Sequence, residues 1–146
     1  MPDFTIYGDG GSRGNPGPAG SGAIVRDVSG KTVFTVSEYL GVTTNNVAEY
    51  TGVIRALGQL QEKLGEKSFQ TSVLVRMDSM LVVKQMRGEY KIKHPNLIPL
   101  AREMSVLVSR FASVAFEHVY REHNKDADRL ANEAMDRGMN RIPDLE

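Results

Sequence analysis

The order of strand and helix patterns along this chain is the feature that most limits its fold. Three segments with strand-like alternation precede the first helical pattern, and helical patterns then separate two further strands. Short turns can join antiparallel strands, whereas parallel strands need long crossover connections. The order β-β-β-α-β-α-α-β-α therefore predicts an α/β fold. We expect a five-stranded mixed sheet flanked by helices, in which the first three strands are antiparallel and the fourth and fifth run parallel to the first.

The predicted elements fill most of the chain. Strands are predicted at residues 4–9, 21–28, 32–39, 73–77 and 114–120, and helices at 47–64, 79–86, 97–111 and 125–137. Asn45 or Asn46 is expected to cap the longest helix. Residues 10–18 are so rich in Gly and Pro that we predict a loop there. One domain is expected over residues 1–138, followed by a tail or truncated linker at 139–146.

Composition narrows the functional classes. The chain has no cysteine, which excludes a thiolate nucleophile or thiolate metal site and suits a reducing compartment. It has no signal-peptide pattern and no apolar stretch of about 18 residues, so we expect a cytoplasmic protein that does not span a membrane. The 18 basic and 18 acidic residues give a formal net charge of zero, which by itself argues against nucleic-acid binding.

Four acidic residues are positioned to meet at one edge of the predicted sheet. Asp9 ends the first strand, Asp78 follows the fourth, and Asp128 lies in the opening turns of the helix after the fifth. Glu49 lies in the first turn of the long helix, which must pack on the same sheet. Ligands of such sheets bind outside the carboxyl ends of the parallel strands. Because clustered carboxylates stay ionised only where cations neutralise them, the set predicts a site for hard divalent cations, above all Mg²⁺.

Each acid also has an ordinary structural explanation. Glu49 stands three residues after Asn46 and could complete a capping box. Asp78 precedes a predicted helix and could cap it, and Asp9 abuts a glycine-rich segment and could form an Asx-turn. For Asp126, a favourable interaction with the helix dipole is the preferred interpretation.

Two loops and one basic segment suggest contacts with phosphate. Residues 10–18 offer backbone N–H groups and Asn15, but they lack the Lys-Ser/Thr ending of a P-loop, which disfavours a nucleoside triphosphatase. Residues 44–46 sit at a helix N-terminus, where anions are favoured, although ordinary capping explains one Asn. Residues 84–94 carry several basic side chains and a single acid. They form either a solvated loop or a rim that follows a phosphate backbone.

Four motifs taken together identify a family. They are Asp9-Gly10-Gly11-Ser12-Arg13-Gly14-Asn15-Pro16-Gly17-Pro18-Ala19-Gly20, Thr44-Asn45-Asn46-Val47-Ala48-Glu49-Tyr50, Met77-Asp78-Ser79, and Arg121-Glu122-His123-Asn124 with Ala127-Asp128-Arg129-Leu130-Ala131-Asn132. In this order, over about residues 3–138, they closely resemble ribonuclease HI. The chain is similar to the shorter branch found in actinobacteria and archaea, because only one helix fits between Gly88 and the fifth strand. The basic protrusion of the longer bacterial enzymes is not expected.

The resemblance implies an RNase H-like fold and specific residue roles. Asp9, Glu49, Asp78 and Asp128 would be the catalytic ligands of two Mg²⁺ ions, which Mn²⁺ can replace, and His123 would be a further catalytic candidate. The implied substrate contacts are Gly10, Gly11, Asn15, Thr44, Asn45, Asn46 and Ser79. Among these, Thr44 and Asn45 are favoured for DNA phosphates.

Three positions depart from the family pattern. Met80 stands where many relatives have a polar residue facing the RNA strand. Val42 stands where longer relatives have a basic phosphate contact. His123 lies only five residues before Asp128, so it is either the catalytic-loop histidine or a residue at the helix entry beside the predicted cap Asn124.

The activity implied by the resemblance is sequence-independent endonucleolytic hydrolysis of the RNA strand of RNA/DNA hybrids. A two-metal-ion mechanism would leave 5'-phosphate and 3'-hydroxyl ends. A related carboxylate-cluster or integrase-like enzyme acting on DNA and a catalytically silent hybrid-binding module are the rival interpretations. We expect a monomer without an obligate protein partner. Whether the chain continues into a phosphatase-like domain, as in some actinobacterial relatives, stays open.

The resemblance also changes the meaning of the zero net charge. Without the four proposed ligands, 14 acids oppose 18 basic residues. Two bound Mg²⁺ ions would then bring the protein from zero to about +4, since the charge of the ions belongs in the sum. A neutral total is therefore compatible with an acidic site surrounded by a basic rim.

Overall fold

The chain forms a five-stranded sheet in the order β3-β2-β1-β4-β5, in a computed structural model that describes residues 1–140. The strands are β1 (Phe4–Ser12), β2 (Gly17–Asp27), β3 (Thr32–Thr43), β4 (Ser72–Met77) and β5 (Ser113–His118), and the helices are α1 (Asn45–Leu64), α2 (Met80–Met86), α3 (Ile98–Val108) and α4 (Lys125–Asn140). Short 3-10 helices cover Gly65–Gln70 and Arg121–His123. β2 pairs antiparallel with β1 and β3, while β4 runs parallel to β1 and β5. The predicted fold class is confirmed.

The predicted loop at residues 10–18 is wrong over most of its length. β1 continues to Ser12 and β2 begins at Gly17, so only residues 13–16 connect the two strands. Glycine weakens a strand, but it is used where another backbone must approach closely. Gly10, inside the predicted loop, is such a residue, because it lies in β1 against the backbone of a helix.

Two glycines of the sheet, Gly10 in β1 and Gly22 in β2, let helices lie unusually close to it. A Cβ atom on Gly10 would collide with the backbone of Ala48 in α1, and one on Gly22 with the backbone of Ala127 in α4. The hydroxyl of Ser21 donates a 2.6 Å hydrogen bond to the carbonyl of Ala48. Because successive strand residues point to opposite faces, Ser21 and Gly22 place α1 and α4 on opposite sides of the sheet. The first turn of α1 is thereby held against β1.

The main apolar core lies between the sheet and α1, α2 and α3. Its fully buried members include Ile6, Val25, Leu57 and Val75, which come from two antiparallel strands, the long helix and β4. α4 covers β1, β2 and β3 on the other face. As predicted, α3 is the single α-helix between α2 and β5. This packing fixes the carboxyl ends of β1 and β4 beside the N-terminal turns of α1 and α4.

Predicted ends of three helices are displaced by two residues or more, and one of them is that of α3, which ends at Val108 and not at residue 111. The N-cap of α1 is Thr44, whose hydroxyl oxygen accepts the N–H of Val47 at 3.3 Å, and not Asn45 or Asn46. All three residue types cap helices well, and the end of β3 decides which one does so. α4 reaches Asn140, so the first two residues of the predicted tail at 139–146 are helical. The rest of that tail lies outside the described residues.

None of the helices within residues 1–140 is both long enough and apolar enough to cross a membrane.

Candidate active site

Four segments meet at a cavity of about 340 Å³ beside the last parallel residue pair of β1 and β4. Its walls include Asp9, Gly10 and Gly11 of β1, Asn45 and Glu49 of α1, Asp78 after β4, and Asp128 of α4. The parallel ladder ends at Gly8 and Met77, so Asp9 and Asp78 are the next residues on two neighbouring strands. The structure thus brings together the four acids that the sequence places at this edge.

Three of the acids form a compact cluster. Asp9, Glu49 and Asp78 each offer one carboxylate oxygen, and these three oxygens lie within 4.8 Å of one another. The side chains of Asp9 and Glu49 are buried, and Asp78 is half-buried. Asp128 stands apart from this triad but lies beside Asp9, with which it shares a hydrogen bond that favours the protonated form.

Burial and mutual repulsion make two of the carboxyl groups hard to ionise. Burial raises the pKa of Asp9 to about 7, with further contributions from the charges of Asp78 and Asp128, despite the N–H that Gly10 donates at 2.8 Å. Burial and the charges of Asp9 and Asp78 raise the pKa of Glu49 to about 8. A bound cation would remove this repulsion, and a purely oxygen donor set suits Mg²⁺. The residues present therefore fit a divalent metal.

The capping explanations offered for Asp78 and Glu49 do not describe the structure, whereas Asp126 does lie in the first turn of α4. Ser79, not Asp78, is the N-cap of α2, and its hydroxyl oxygen accepts the N–H of Val82 at 3.3 Å. The cap of α1 is Thr44, so Glu49 is five residues beyond it and does not occupy the third helical position of a capping box. Both carboxylates project into the cavity instead.

The two segments predicted to contact phosphate touch each other at the rim of the cavity. The side-chain oxygen of Asn15 accepts the N–H of Asn45 at 3.1 Å, which ties the connection between β1 and β2 to the start of α1. The side-chain oxygen of Asn45 accepts the N–H of Asn46 at 2.9 Å. Thr44 caps the same helix. These residues form one continuous polar edge beside the carboxylates.

The structure does not bring His123 into the carboxylate cavity. His123 lines a separate cavity of about 140 Å³ together with Tyr7 and Arg26. Arg121, which sequence reasoning missed, lines the carboxylate cavity instead. Both residues belong to the same 3-10 helix, in which about three residues complete a turn, so side chains two positions apart point in different directions. The available signal was a cation seven residues before Asp128 in the same motif.

The basic segment at residues 84–94, which begins in the last turn of α2, is partly structural. Arg87 donates through Nε to the carbonyl of Phe116 at 2.7 Å, which fixes the end of α2 to β5. The ammonium of Lys84 lies 5.0 Å from the centre of the Tyr90 ring, a cation–π contact at an exposed position. Met80 and Val42, which depart from the family pattern, are both exposed.

A five-stranded mixed sheet with this strand order and a carboxylate cluster at its parallel carboxyl edge defines an RNase H-like domain. A family model described as "Reverse transcriptase-like" matches residues 8–134. A ribonuclease H of Polaromonas naphthalenivorans is 33% identical, with 94% of this chain and 89% of that protein covered. The chain belongs to the ribonuclease H family.

Further comparisons agree with this assignment. A bifunctional protein of Mycobacterium tuberculosis is 50% identical over 132 residues, which are 90% of this chain and 35% of that protein. The chain thus spans about a third of the length of this curated relative. The crystal structure of LC11-RNase H1 in complex with an RNA/DNA hybrid superposes with a TM-score of 0.87 at 47% identity, covering 93% of this chain and 99% of that one.

Proposed function

We propose that this protein is an endonuclease that hydrolyses the RNA strand of RNA/DNA hybrids without regard to sequence. The proposal rests above all on the three carboxylate oxygens gathered within 4.8 Å at an accessible cavity. The hybrid complex of LC11-RNase H1, a protein 47% identical to this chain, supports the choice of substrate. The domain would extend over residues 1–138 and act as a monomer. The lack of cysteine is consistent with a cytoplasmic location.

The carboxylates would hold the metal. We assign Asp9, Glu49, Asp78 and Asp128 as ligands of two Mg²⁺ ions, for which Mn²⁺ can substitute. Bound there, the ions would supply water activation and Lewis-acid stabilisation of the phosphodiester, and cleavage would leave 5'-phosphate and 3'-hydroxyl ends. The protein's own part is to hold four carboxylates at one place on rigid elements. It does so at the cost of burying two groups that resist ionisation.

The polar edge would bind the phosphates of the hybrid. The hydroxyl oxygens of Thr44 and Ser79 accept backbone N–H groups, so their own hydrogens can be donated to a phosphate. The side-chain oxygen of Asn15 accepts the N–H of Asn45, so the amide N–H groups of Asn15 would be the ones to contact a phosphate. Gly10 and Gly11 would allow close approach of the RNA strand, and Asn46 would contact the rim. Most such contacts position the duplex without reading its bases.

Arg121, and not the catalytic candidate His123, would place a positive charge beside the carboxylates. Its side chain is exposed and lines the carboxylate cavity, whereas His123 lines another. An arginine stays protonated at any physiological pH. It can therefore attract the scissile phosphate or the product phosphate, but it cannot transfer a proton as histidine does.

Cleavage assays with matched substrates and variants test the proposal. The protein should cut labelled RNA in an RNA/DNA hybrid in the presence of Mg²⁺ and leave duplex DNA and single-stranded RNA intact. Asp78→Asn should abolish cleavage. Asp126→Asn, which removes an acid outside the cavity, should retain it. Equal activity of Asp78→Asn, or no cleavage of the hybrid, would contradict the proposal. Cleavage of duplex DNA would favour the integrase-like alternative, and binding without cleavage would favour the hybrid-binding module.

A further inference from the structure

We propose that Asn124 is a positioning residue that sets the relative placement of the first and last metal-binding carboxylates. The proposal rests on the proposed function of the carboxylate cavity. Within residues 1–140, Asn124 makes no hydrogen bond to the oxygens of the proposed ligands and does not line their cavity. It would act through the backbone segments that carry Asp9 and Asp128.

Asn124 connects two segments that are far apart in sequence. Its side-chain Nδ2 donates a 3.0 Å hydrogen bond to the carbonyl of Gly8, 116 positions earlier in the chain. Its own backbone carbonyl accepts the N–H of Asp128 at 3.1 Å. One residue, only 1% exposed, therefore binds both the strand that carries Asp9 and the helical turn that carries Asp128.

The bond to Gly8 acts directly on Asp9. The carbonyl of Gly8 belongs to the peptide unit that joins Gly8 to Asp9, and a peptide unit is planar. Fixing the direction of this carbonyl fixes the plane of the unit, and with it the orientation from which the Asp9 side chain leaves the backbone. Because the bond is buried, water does not compete for it. The carboxylate is thereby aimed toward the cavity by a group that does not itself enter it.

The side chain is not used as the helix cap that the sequence suggests. Asn124 directly precedes α4, and an N-cap asparagine would accept a backbone N–H through its Oδ1. Within residues 1–140, however, Oδ1 of Asn124 has no hydrogen-bond partner. The Nδ2 of the amide donates to the carbonyl of Gly8 in β1 instead. Asparagine supplies a donor at this point, which serine, threonine or aspartate at the same cap position would not supply in the same geometry.

A second bond between α4 and the sheet offers a matched control. The hydroxyl of Ser37 on β3 donates a 2.7 Å hydrogen bond to the carbonyl of Leu130. This bond also ties α4 to the sheet, but neither partner adjoins a carboxylate of the cavity. Removing it should weaken the packing of α4 and leave the placement of Asp9 unchanged.

The test compares Asn124→Ala, Asn124→Ser and Ser37→Ala with the unmodified protein. Three quantities are measured: the melting temperature without metal, the Mg²⁺ concentration that gives half of the Mg²⁺-induced rise in melting temperature, and kcat and KM for the hybrid. We expect all three variants to melt at lower temperature. Only the Asn124 variants should need about tenfold or more Mg²⁺ and lose kcat to a similar extent, as outer-shell changes do, with KM unchanged.

Three results would overturn the proposal or separate it from the proposed function. Asn124 variants that bind Mg²⁺ and turn over like Ser37→Ala would overturn it. Failure of both Asn124 variants to fold, while Ser37→Ala folds, would also overturn it by assigning the residue to stability. If the unmodified protein does not cleave hybrid, the proposed function fails, whereas the Mg²⁺ midpoint still tests the placement of the carboxylates.

Discussion

The first turn of α4 contributes one acid to each of two clusters of charged side chains, and the two clusters differ in how their charges are paired. Asp126 belongs to the paired cluster, in which its carboxylate lies 2.7 Å from Arg26 and, nearby, Arg76 lies 2.7 Å from Glu117. Asp128, two residues later, belongs to the carboxylate cavity, whose walls carry four acids. In the paired cluster each acid has a basic partner, whereas in the carboxylate cavity like charges face one another and repel.

This difference distinguishes a structural charge cluster from a functional one. In the paired cluster, both guanidinium groups also lie within 6 Å of the centre of the Tyr7 ring, at 5.5 and 5.7 Å. Such half-exposed pairs contribute about 1 kcal/mol or less to stability. Repelling carboxylates reduce stability, so their retention needs another reason. A charge cluster that is not satisfied within the protein is a better indicator of a site than the number of charges in it.

The largest expected effect is on cleavage of the hybrid, which should depend on the carboxylate cavity and not on the paired cluster. Asp9→Asn should lower kcat/KM for the hybrid by about three orders of magnitude or more, because metal-ion catalysis contributes several kcal/mol. Asp126→Asn should change it by less than about twofold, because it weakens only the partly exposed ion pairs with Arg26 and Arg129. Steady-state cleavage at saturating Mg²⁺ measures both. Comparable losses in the two variants would remove the distinction between the clusters.

A second effect appears in stability without metal. The pKa of Asp9 is raised to about 7 and that of Glu49 to about 8, from ordinary values of 3.8 and 4.5. Between about pH 4 and 8 the folded state therefore holds more protons than the unfolded state, so the free energy of unfolding falls as pH rises. We expect a loss of several kcal/mol in urea unfolding with EDTA between pH 5 and 8, because each group contributes about 1.4 kcal/mol per pH unit until its own pKa is reached.

Substitution and metal provide the controls for this pH dependence. Asp9→Asn and Glu49→Gln should each flatten the slope, since each removes one group that resists ionisation. Mg²⁺ should restore stability above pH 7, because it binds the folded state alone. Asp126→Asn should leave the slope as it is. Parallel curves for all four proteins would show that the cluster does not control the pH dependence.

A smaller effect distinguishes the two residues of the 3-10 helix. Arg121→Ala should lower kcat by about tenfold, in the range of one charged group acting on a phosphate. His123→Ala should leave kcat within about twofold, because His123 lines the other cavity. Arg121→Lys should recover part of the loss. An activity loss in His123→Ala that exceeds the loss in Arg121→Ala would reverse the assignment.

The smallest effect concerns the paired cluster itself. A double-mutant cycle on Arg26→Ala and Asp126→Ala should give a coupling free energy of about 1 kcal/mol or less. Thermal or urea unfolding at two salt concentrations measures it, and the coupling should shrink as salt rises. A coupling of several kcal/mol would mean that this pair, although half-exposed, is as important to the molecule as the carboxylates.

The fold class could be predicted from the sequence because the hydrophobic periods of strands and helices can be recognised without knowing any tertiary contact. The limits of elements were less accessible. Local composition cannot distinguish a glycine that turns the chain from one that admits a neighbouring backbone, so residues 10–18 were predicted as a loop although β1 and β2 continue through most of them. Thr44, Asn45 and Asn46 are all good capping residues, and only the end of β3 selects among them.

The candidate site, too, was only partly predictable from the sequence. The sequence by itself determined which acids would meet, because the position of Asp9 and Asp78 after parallel strands follows from chain order alone. Only the tertiary structure decided that Arg121 and not His123 lines the cavity, since a rotation within one 3-10 turn depends on packing. It alone also turned Asn124 toward Gly8. Periodicity and order are local properties of a chain, whereas the direction of a side chain is set by its neighbours in space.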